Sequence, residues 1–202
     1  MAEDGWVPLF NGTDLSGWSA NVDPGSFSVE QGVLKAHCTS ESVRSHLFFV
    51  GDGENDFIRF KNFELKAVVR GEPNSNSGIF FHTDLSTRDQ KLHLANGYEV
   101  QLNSAEREKR KTGSLYAIVD VTQPATDDTV WFEVHIVVRD KRIVVNINGH
   151  KVIDYTEPEN PERPPNRAGR LLNPNGGAIA LQAHDPDSVW YFKEIQIKRL
   201  PD

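Results

Sequence analysis

Residues Val130 to Asp154 read VWFEVHIVVRDKRIVVNINGHKVID, and this stretch decides the fold class. Phe132, Val134, Ile136 and Val138 fall on one parity, so Val130 to Arg139 predicts a strand with one buried face. Arg142 to Ile147 and His150 to Asp154 flank Asn148-Gly149. Two residues of this type between two apolar runs are a strong signal for a tight hairpin, because both must adopt positive φ.

The same grammar runs outward in both directions. Phe27 to Glu30 and Val33 to Ala36 flank Gln31-Gly32, a second hairpin. Phe63 to Val69 alternates and stops at Gly71-Glu72-Pro73-Asn74. Ser77 to His82, Gly97 to Asn103, Ser114 to Val119, Ala178 to His184 and Val189 to Lys198 add further strands. In the last of these the apolar parity slips between Phe192 and Ile195, which predicts a bulge near Lys193-Glu194. About a dozen strands and no sustained helical period predict an all-β sandwich or barrel. Residues 1–202 read as a single domain. The segment from Glu157 to Pro174 holds five of the eleven prolines, so it predicts an ordered loop at a site rim or an interface.

Composition excludes several classes. No run approaches the roughly 18 apolar residues of a membrane span. The net charge is -7 with no basic stripe, which argues against nucleic acid. Cys38 is the only cysteine and predicts a buried, inert thiol. Met1-Ala2-Glu3-Asp4-Gly5 lacks the character of a signal peptide.

Glu99, Gln101 and Asn103 share one face of their strand, opposite Tyr98, Val100 and Leu102. An acid and two amides at about 7 Å spacing suit sugar hydroxyls. His82 shares a face with Phe80 and Gly78, Gln182 and His184 point away from Leu181 and Ala183, and Tyr116 is a candidate for the same surface. If these strands are neighbours, one face collects His82, Glu99, Gln101, Tyr116, Gln182 and His184 into a carbohydrate-like pocket. Taken singly, His37, His46, His93, His135 and His150 read as structural or solvated.

The chain resembles the 3-keto-disaccharide hydrolase domain family. Leu9 to Trp18, LFNGTDLSGW, is similar to the family's opening motif. Asn76 to Phe81 (NSGIFF), Gly97 to Gln101 (GYEVQ), Thr112 to Tyr116 (TGSLY) and Leu181 to His184 (LQAH) resemble its later ones. The resemblance implies a concanavalin A-like jelly-roll sandwich of two antiparallel sheets. Three departures stand out: His82 where the family often has Arg, Asn103-Ser104 where it often has Asp, and Phe192-Lys193-Glu194-Ile195 at its closing motif.

That resemblance implies cleavage of glycosides already oxidised to a ketone at C3. The ketone acidifies C2–H; a base removes it, the C1 substituent leaves, and water adds. Such a site needs one base, one donor at the ketone and one acid, rather than paired carboxylates. Glu99 and His184 are expected as base and acid, in either order. His82, Gln101, Asn103, Tyr116, Gln182 and Lys193 are expected to bind substrate. No cofactor is required, although His82, Glu99 and His184 also suggest a divalent metal that would polarise the ketone. Two other classes compete: a lectin-like module that binds glycans without chemistry, and a Ca²⁺-stabilised adhesion domain drawing on Asp52, Glu54 and Asp56. Membership also implies a bacterial periplasmic or secreted protein whose leader is absent here, with the cytoplasm as alternative.

Overall fold

The computed structural model describes residues 5–52 and 57–202. Among them, strands β1 (Trp6–Pro8), β2 (Trp18–Ala20), β3 (Phe27–Glu30), β4 (Val33–His37), β5 (Ser45–Phe49) and β6 (Phe63–Gly71) come first. There follow β7 (Asn76–Thr83), β8 (Tyr98–Asn103), β9 (Phe132–Arg139), β10 (Arg142–Ile147), β11 (His150–Thr156), β12 (Ala178–Ala183) and β13 (Val189–Arg199). They form two antiparallel sheets. The larger runs β11-β10-β9-β6-β13-β4-β3 with β1 on β13; the smaller runs β2-β5-β12-β7-β8.

Period-two patterning explains the sandwich. Leu65, Ala67 and Val69 of β6, Val134 and Ile136 of β9, and Ile195 and Ile197 of β13 line the inner face of the larger sheet. Ile79 and Phe81 of β7, Tyr98, Val100 and Leu102 of β8, and Ile179 and Leu181 of β12 meet them from the smaller sheet. One apolar cluster therefore joins both sheets, as a sandwich requires.

The turns carry the expected chemistry. Gln31-Gly32 and Asn148-Gly149 have φ of 52° and 80°, and 49° and 78°, matching two-residue hairpins between β3 and β4 and between β10 and β11. The β13–β6 register shifts between Phe192 and Glu194, the bulge expected from the parity slip. Cys38 is fully buried.

One expectation changes, three strands go unannounced in the sequence, and one reading cannot be followed. Ser114 to Val119 is no regular strand: it touches β8 through a Val100–Leu115 bridge and folds back through Leu115–Val119. Strands β1, β2 and β5 carry short or turn-broken signals that alternation alone does not reveal. The calcium reading cannot be followed, because Glu54 and Asp56 lie outside the described residues.

Candidate active site

The outward parity of the smaller sheet carries polar groups that water barely reaches. Glu99, Gln101, Gln182 and His46 are each 5 % exposed or less. Register sets their rows: Phe80 on β7 lies opposite Glu99 on β8 and Ala180 on β12, Gly78 opposite Gln101, and Gln182 opposite His46 on β5. Two loops close over this face. Leu94 from the loop after β7 packs with Phe48, Phe57, Phe80 and Ala180. Arg170 from the proline-rich loop sets its guanidinium 5.5 Å from the Phe80 ring centroid.

The Glu99 carboxylate lies across Gly78. A Cβ at position 78 would stand 2.7 Å from Glu99 Oε1 and 3.0 Å from its Cγ. Gly78→Ala is therefore expected to swing the carboxylate away and cut turnover at least tenfold with only a small loss of stability. Steady-state kinetics beside thermal melting checks this; unchanged kcat would show that the carboxylate position does not matter.

Arg170 Nη2 donates to Glu99 Oε2 at 3.0 Å, and its Nη1 to the Gly97 carbonyl at 3.3 Å. Burial pushes the Glu99 carboxyl above its ordinary range, against the opposing pull of Arg170 first and then of His184, Arg88 and Arg167. The Arg170 loop is itself clamped. Arg163 Nε donates to the Arg170 carbonyl at 2.9 Å, and Glu157 accepts from Leu172 N–H at 2.9 Å and from the Tyr98 hydroxyl.

His184 lies just past β12, about one-fifth exposed, with Nδ1 hydrogen-bonded to the Asp185 carboxylate. That contact assigns the proton to Nδ1 and leaves Nε2 as an acceptor. Burial works against the Asp185 charge, but hydrogen bonds from His184 and Ser188 hold its carboxyl down at about 2. The His93 ring centroid lies 6.5 Å from that of His184, and its Nδ1 bonds Asp89 at 2.9 Å.

Deeper in, His46 and Gln182 meet at 3.3 Å, leaving His46 Nδ1 and Gln182 Oε1 buried without a partner; Arg44 Nε and Arg170 Nε are in the same condition. Unpaired buried polar atoms are costly, so these four are available to pair with water or with a polar ligand. Burial drives the His46 imidazole down to about 3. A histidine held neutral in the fold but protonated when unfolded costs stability as pH drops below about 6.5, so at pH 5 the loss from His46 is about 2 kcal/mol. Urea titrations between pH 7.5 and 5 should show that loss, and His46→Gln should shrink it.

The structure thus brings together Glu99, Gln101, Gln182, His184 and Tyr116. Gln101 supports the chamber from beside Gly78 and donates from Nε2 to Asn76 at 3.2 Å. Tyr116 adjoins Glu99, its N–H donating to the Glu99 carbonyl at 2.9 Å. Its ring is no free stacking platform, since the guanidiniums of Arg110 and Arg167 lie 5.1 and 5.5 Å from its centroid.

Three expected residues fall elsewhere. His82 adopts φ 53° where β7 slips register against β12, and this turns its ring toward the core aromatics Phe63 and Phe81. Its Nε2 meets the Lys61 carbonyl at 2.8 Å and its Nδ1 accepts from Asn173 N–H at 3.0 Å. With both ring nitrogens engaged, His82 is a structural pin, and the metal set His82, Glu99 and His184 does not assemble. Asn103 braces its own loop, donating to the Arg110 carbonyl at 3.0 Å and accepting from Ala105 N–H at 3.0 Å. Lys193 stands on the bulge of β13 in the other sheet, beside a separate groove with Asn11 and Gly12.

Sequence reasoning missed Arg170, Asp185, Arg44 and Arg88, and read His46 and His93 as solitary. Loop residues carry no periodicity; the proline-rich composition flagged the rim but not which side chain it delivers. A groove of ≈690 Å³ lies on the outer face of the larger sheet around Glu64, Val137, Arg139 and Arg142, away from Glu99 and His184. Convergent chemistry, rather than size, identifies the site.

Known proteins place this geometry in context. The profile of the 3-keto-alpha-glucoside-1,2-lyase-like domain matches residues 5–198. A 3-keto-disaccharide hydrolase of Bacteroides thetaiotaomicron is 27% identical over 98% of this chain and 79% of its own length. A crystal structure described as a putative glycosyl hydrolase from Parabacteroides distasonis superposes with a TM-score of 0.75 at 22% identity, covering 98% of this chain and 95% of that one. The mannose- and Ca²⁺-bound lumenal domain of VIP36 shares the fold at a TM-score of 0.61 and 12% identity, over 100% of this chain and 92% of its own.

Proposed function

We propose that this chain, which belongs to the 3-keto-alpha-glucoside-1,2-lyase-like domain family, cleaves glycosides bearing a ketone at C3 of the sugar. The reaction removes the C2 proton, expels the C1 substituent and adds water to the resulting enone. One observation carries this reading: a buried carboxyl, Glu99, and an aspartate-oriented histidine, His184, lie near enough for their charges to act on each other. Asp89 and Asp185, the carboxylates beside them, are each committed to a histidine. Classical glycoside hydrolysis needs two free carboxylates, whereas elimination needs one base and one acid of different kind.

The roles follow from the local chemistry. His184 Nε2 is the base for C2–H, its ring fixed and its imidazolium stabilised by Asp185. As the C2–H electrons form the enolate and then expel the C1–O bond, Glu99 protonates the departing oxygen. Burial raises its carboxyl pKa against the pull of Arg170, so it takes up a proton more readily than an exposed glutamate does. Arg88, whose charge reaches Glu99, supplies countercharge for the enolate oxygen. His46 Nδ1 and Gln182 Oε1 offer their unused valences to ring hydroxyls. Water then adds its oxygen at C1 and a proton at C2.

A lectin-like module gains nothing from a carboxyl buried at such cost beside an oriented histidine, so the binding-only reading is the poorer one. The test is selectivity for the ketone. Purified protein should release aglycone from a 3-keto-glucoside and leave the unoxidised glucoside intact. Equal cleavage of both would mean that C2 acidity plays no part.

A further inference from the structure

Beside Tyr116, whose N–H donates to the Glu99 carbonyl and whose ring lies under Arg110 and Arg167, runs a groove of ≈460 Å³ lined by Arg110, Ala117, Ile118, Asp120, Pro164 and Arg167. Resting on the reading of Glu99 as the leaving-group acid, we propose that this groove receives the departing group and that Arg167 reads an acidic substituent on it, such as a carboxylate, sulfate or phosphate.

Charge is the first reason. The chain carries a net -7, yet Arg44, Arg88, Arg167 and Arg170 surround this site against the three carboxylates Glu99, Asp89 and Asp185. Three of these cations crowd one another: Arg167 and Arg170 both oppose the charge of Arg88, and Arg167 opposes that of Arg170. Like charges gathered in a partly buried site cost stability unless an anion joins them.

Partnering is the second reason. Arg170 is spent on Glu99 at 3.0 Å, Arg88 reaches Asp89 at 3.5 Å, and Arg110 donates to Asp120 at 3.0 Å. Among the described residues Arg167 has no carboxylate partner; its Nη1 meets only the neighbouring Asn166 carbonyl, at 2.8 Å. The Asp120 in the groove is already neutralised by Arg110, so the uncompensated charge there is positive and belongs to Arg167.

Position is the third reason. Arg167 lines the groove, lies over the Tyr116 ring at 5.5 Å, and acts electrostatically on Glu99. It therefore lies in the groove and is near enough for its charge to act on the proton donor. A group leaving toward Glu99 enters that space, and a guanidinium there forks onto an anionic oxygen pair. Arg167 sits on a short turn, Pro165–Arg167, so its replacement leaves the sheets untouched.

The experiment compares two 3-keto-glucosides of matched size, the 4-carboxyphenyl and the 4-carbamoylphenyl. The acid should show kcat/KM about tenfold higher than the amide, mostly through KM. Arg167→Gln should erase that preference, bringing kcat/KM for the acid down to that for the amide measured in the same variant, and Arg167→Lys should keep part of it. Equal kcat/KM for acid and amide in the parent protein, or a preference that survives Arg167→Gln, overturns the inference. Cleavage of neither compound overturns the glycosidase reading instead. Equilibrium titration of the same pair then decides the role of Arg167: tighter binding of the acid, lost in Arg167→Gln, supports it, and equal binding ends it.

Discussion

Glu99→Gln is expected to lower kcat on a poor leaving group by roughly 10²–10⁴-fold with the fold intact, the range for loss of one general acid. Glutamine keeps the shape and can still accept from Arg170, so the two sheets and the clamped loop have no reason to move. What disappears is the proton for the departing oxygen. The loss should therefore shrink when the leaving group is a nitrophenol, which departs without protonation. Kinetics on alkyl and nitrophenyl 3-keto-glucosides, with circular dichroism beside them, would read both features. A variant that cleaves the alkyl compound at the parent rate would remove Glu99 from the chemistry.

The largest expected effect on stability comes from Arg170. Arg170 and Glu99 are buried together, with side-chain exposures of 1% and 7%. Breaking such a pair from one side strands the other charge and costs about 3–5 kcal/mol. Arg170→Met should show that loss near neutral pH. The pH dependence has a defined sign. Burial already raises the Glu99 pKa in the fold above its ordinary 4.5, and removing Arg170 raises it further. A carboxyl whose folded pKa is raised keeps its full contribution below about pH 4.5 and loses it as pH climbs toward the folded value. Arg170→Met should thus be least impaired in acid and most impaired near pH 7.5. Adding Glu99→Gln to Arg170→Met should restore much of the deficit, because no charge is then stranded. Urea unfolding of the single and double variants at pH 5 and 7.5 checks it; a deficit independent of pH and of Glu99 would mean that Arg170 acts only by filling space.

The sheets were legible because burial on one face writes a period of two. Phe132 to Val138 and the two turns at Gln31-Gly32 and Asn148-Gly149 specify strands and hairpins locally, without reference to the rest of the chain. The same periodicity correctly put Glu99, Gln101 and Gln182 on one outward face. It failed at His82, where a register slip and a positive φ reverse the side chain, because alternation assumes an unbroken ladder. It failed for Lys193 for a different reason: a motif shared along the sequence does not say which sheet a strand joins. Arg170 and Asp185 escaped notice because loops deliver side chains through tertiary clamps such as Arg163 to the Arg170 carbonyl, and no local pattern encodes those. The proline-rich segment announced order but not its purpose.

Gly78 shows how a sequence motif becomes chemistry. Within Asn76 to Phe81 it is the one residue whose missing side chain matters to the site, since any Cβ would occupy the space of the Glu99 carboxylate. The apolar positions that follow it serve packing, Ile79 and Phe81 inward and Phe80 beneath Arg170.

The most direct test of the central claim is proton NMR of a 3-keto-glucoside incubated with the protein in D₂O. The His184 side chain is partly open to solvent, so a proton it removes exchanges before water adds. Elimination through C2 predicts released aglycone together with a sugar bearing deuterium at C2, and loss of both signals in His184→Ala. Aglycone release with the original proton retained at C2 would contradict it, and would move the chemistry to direct displacement at C1.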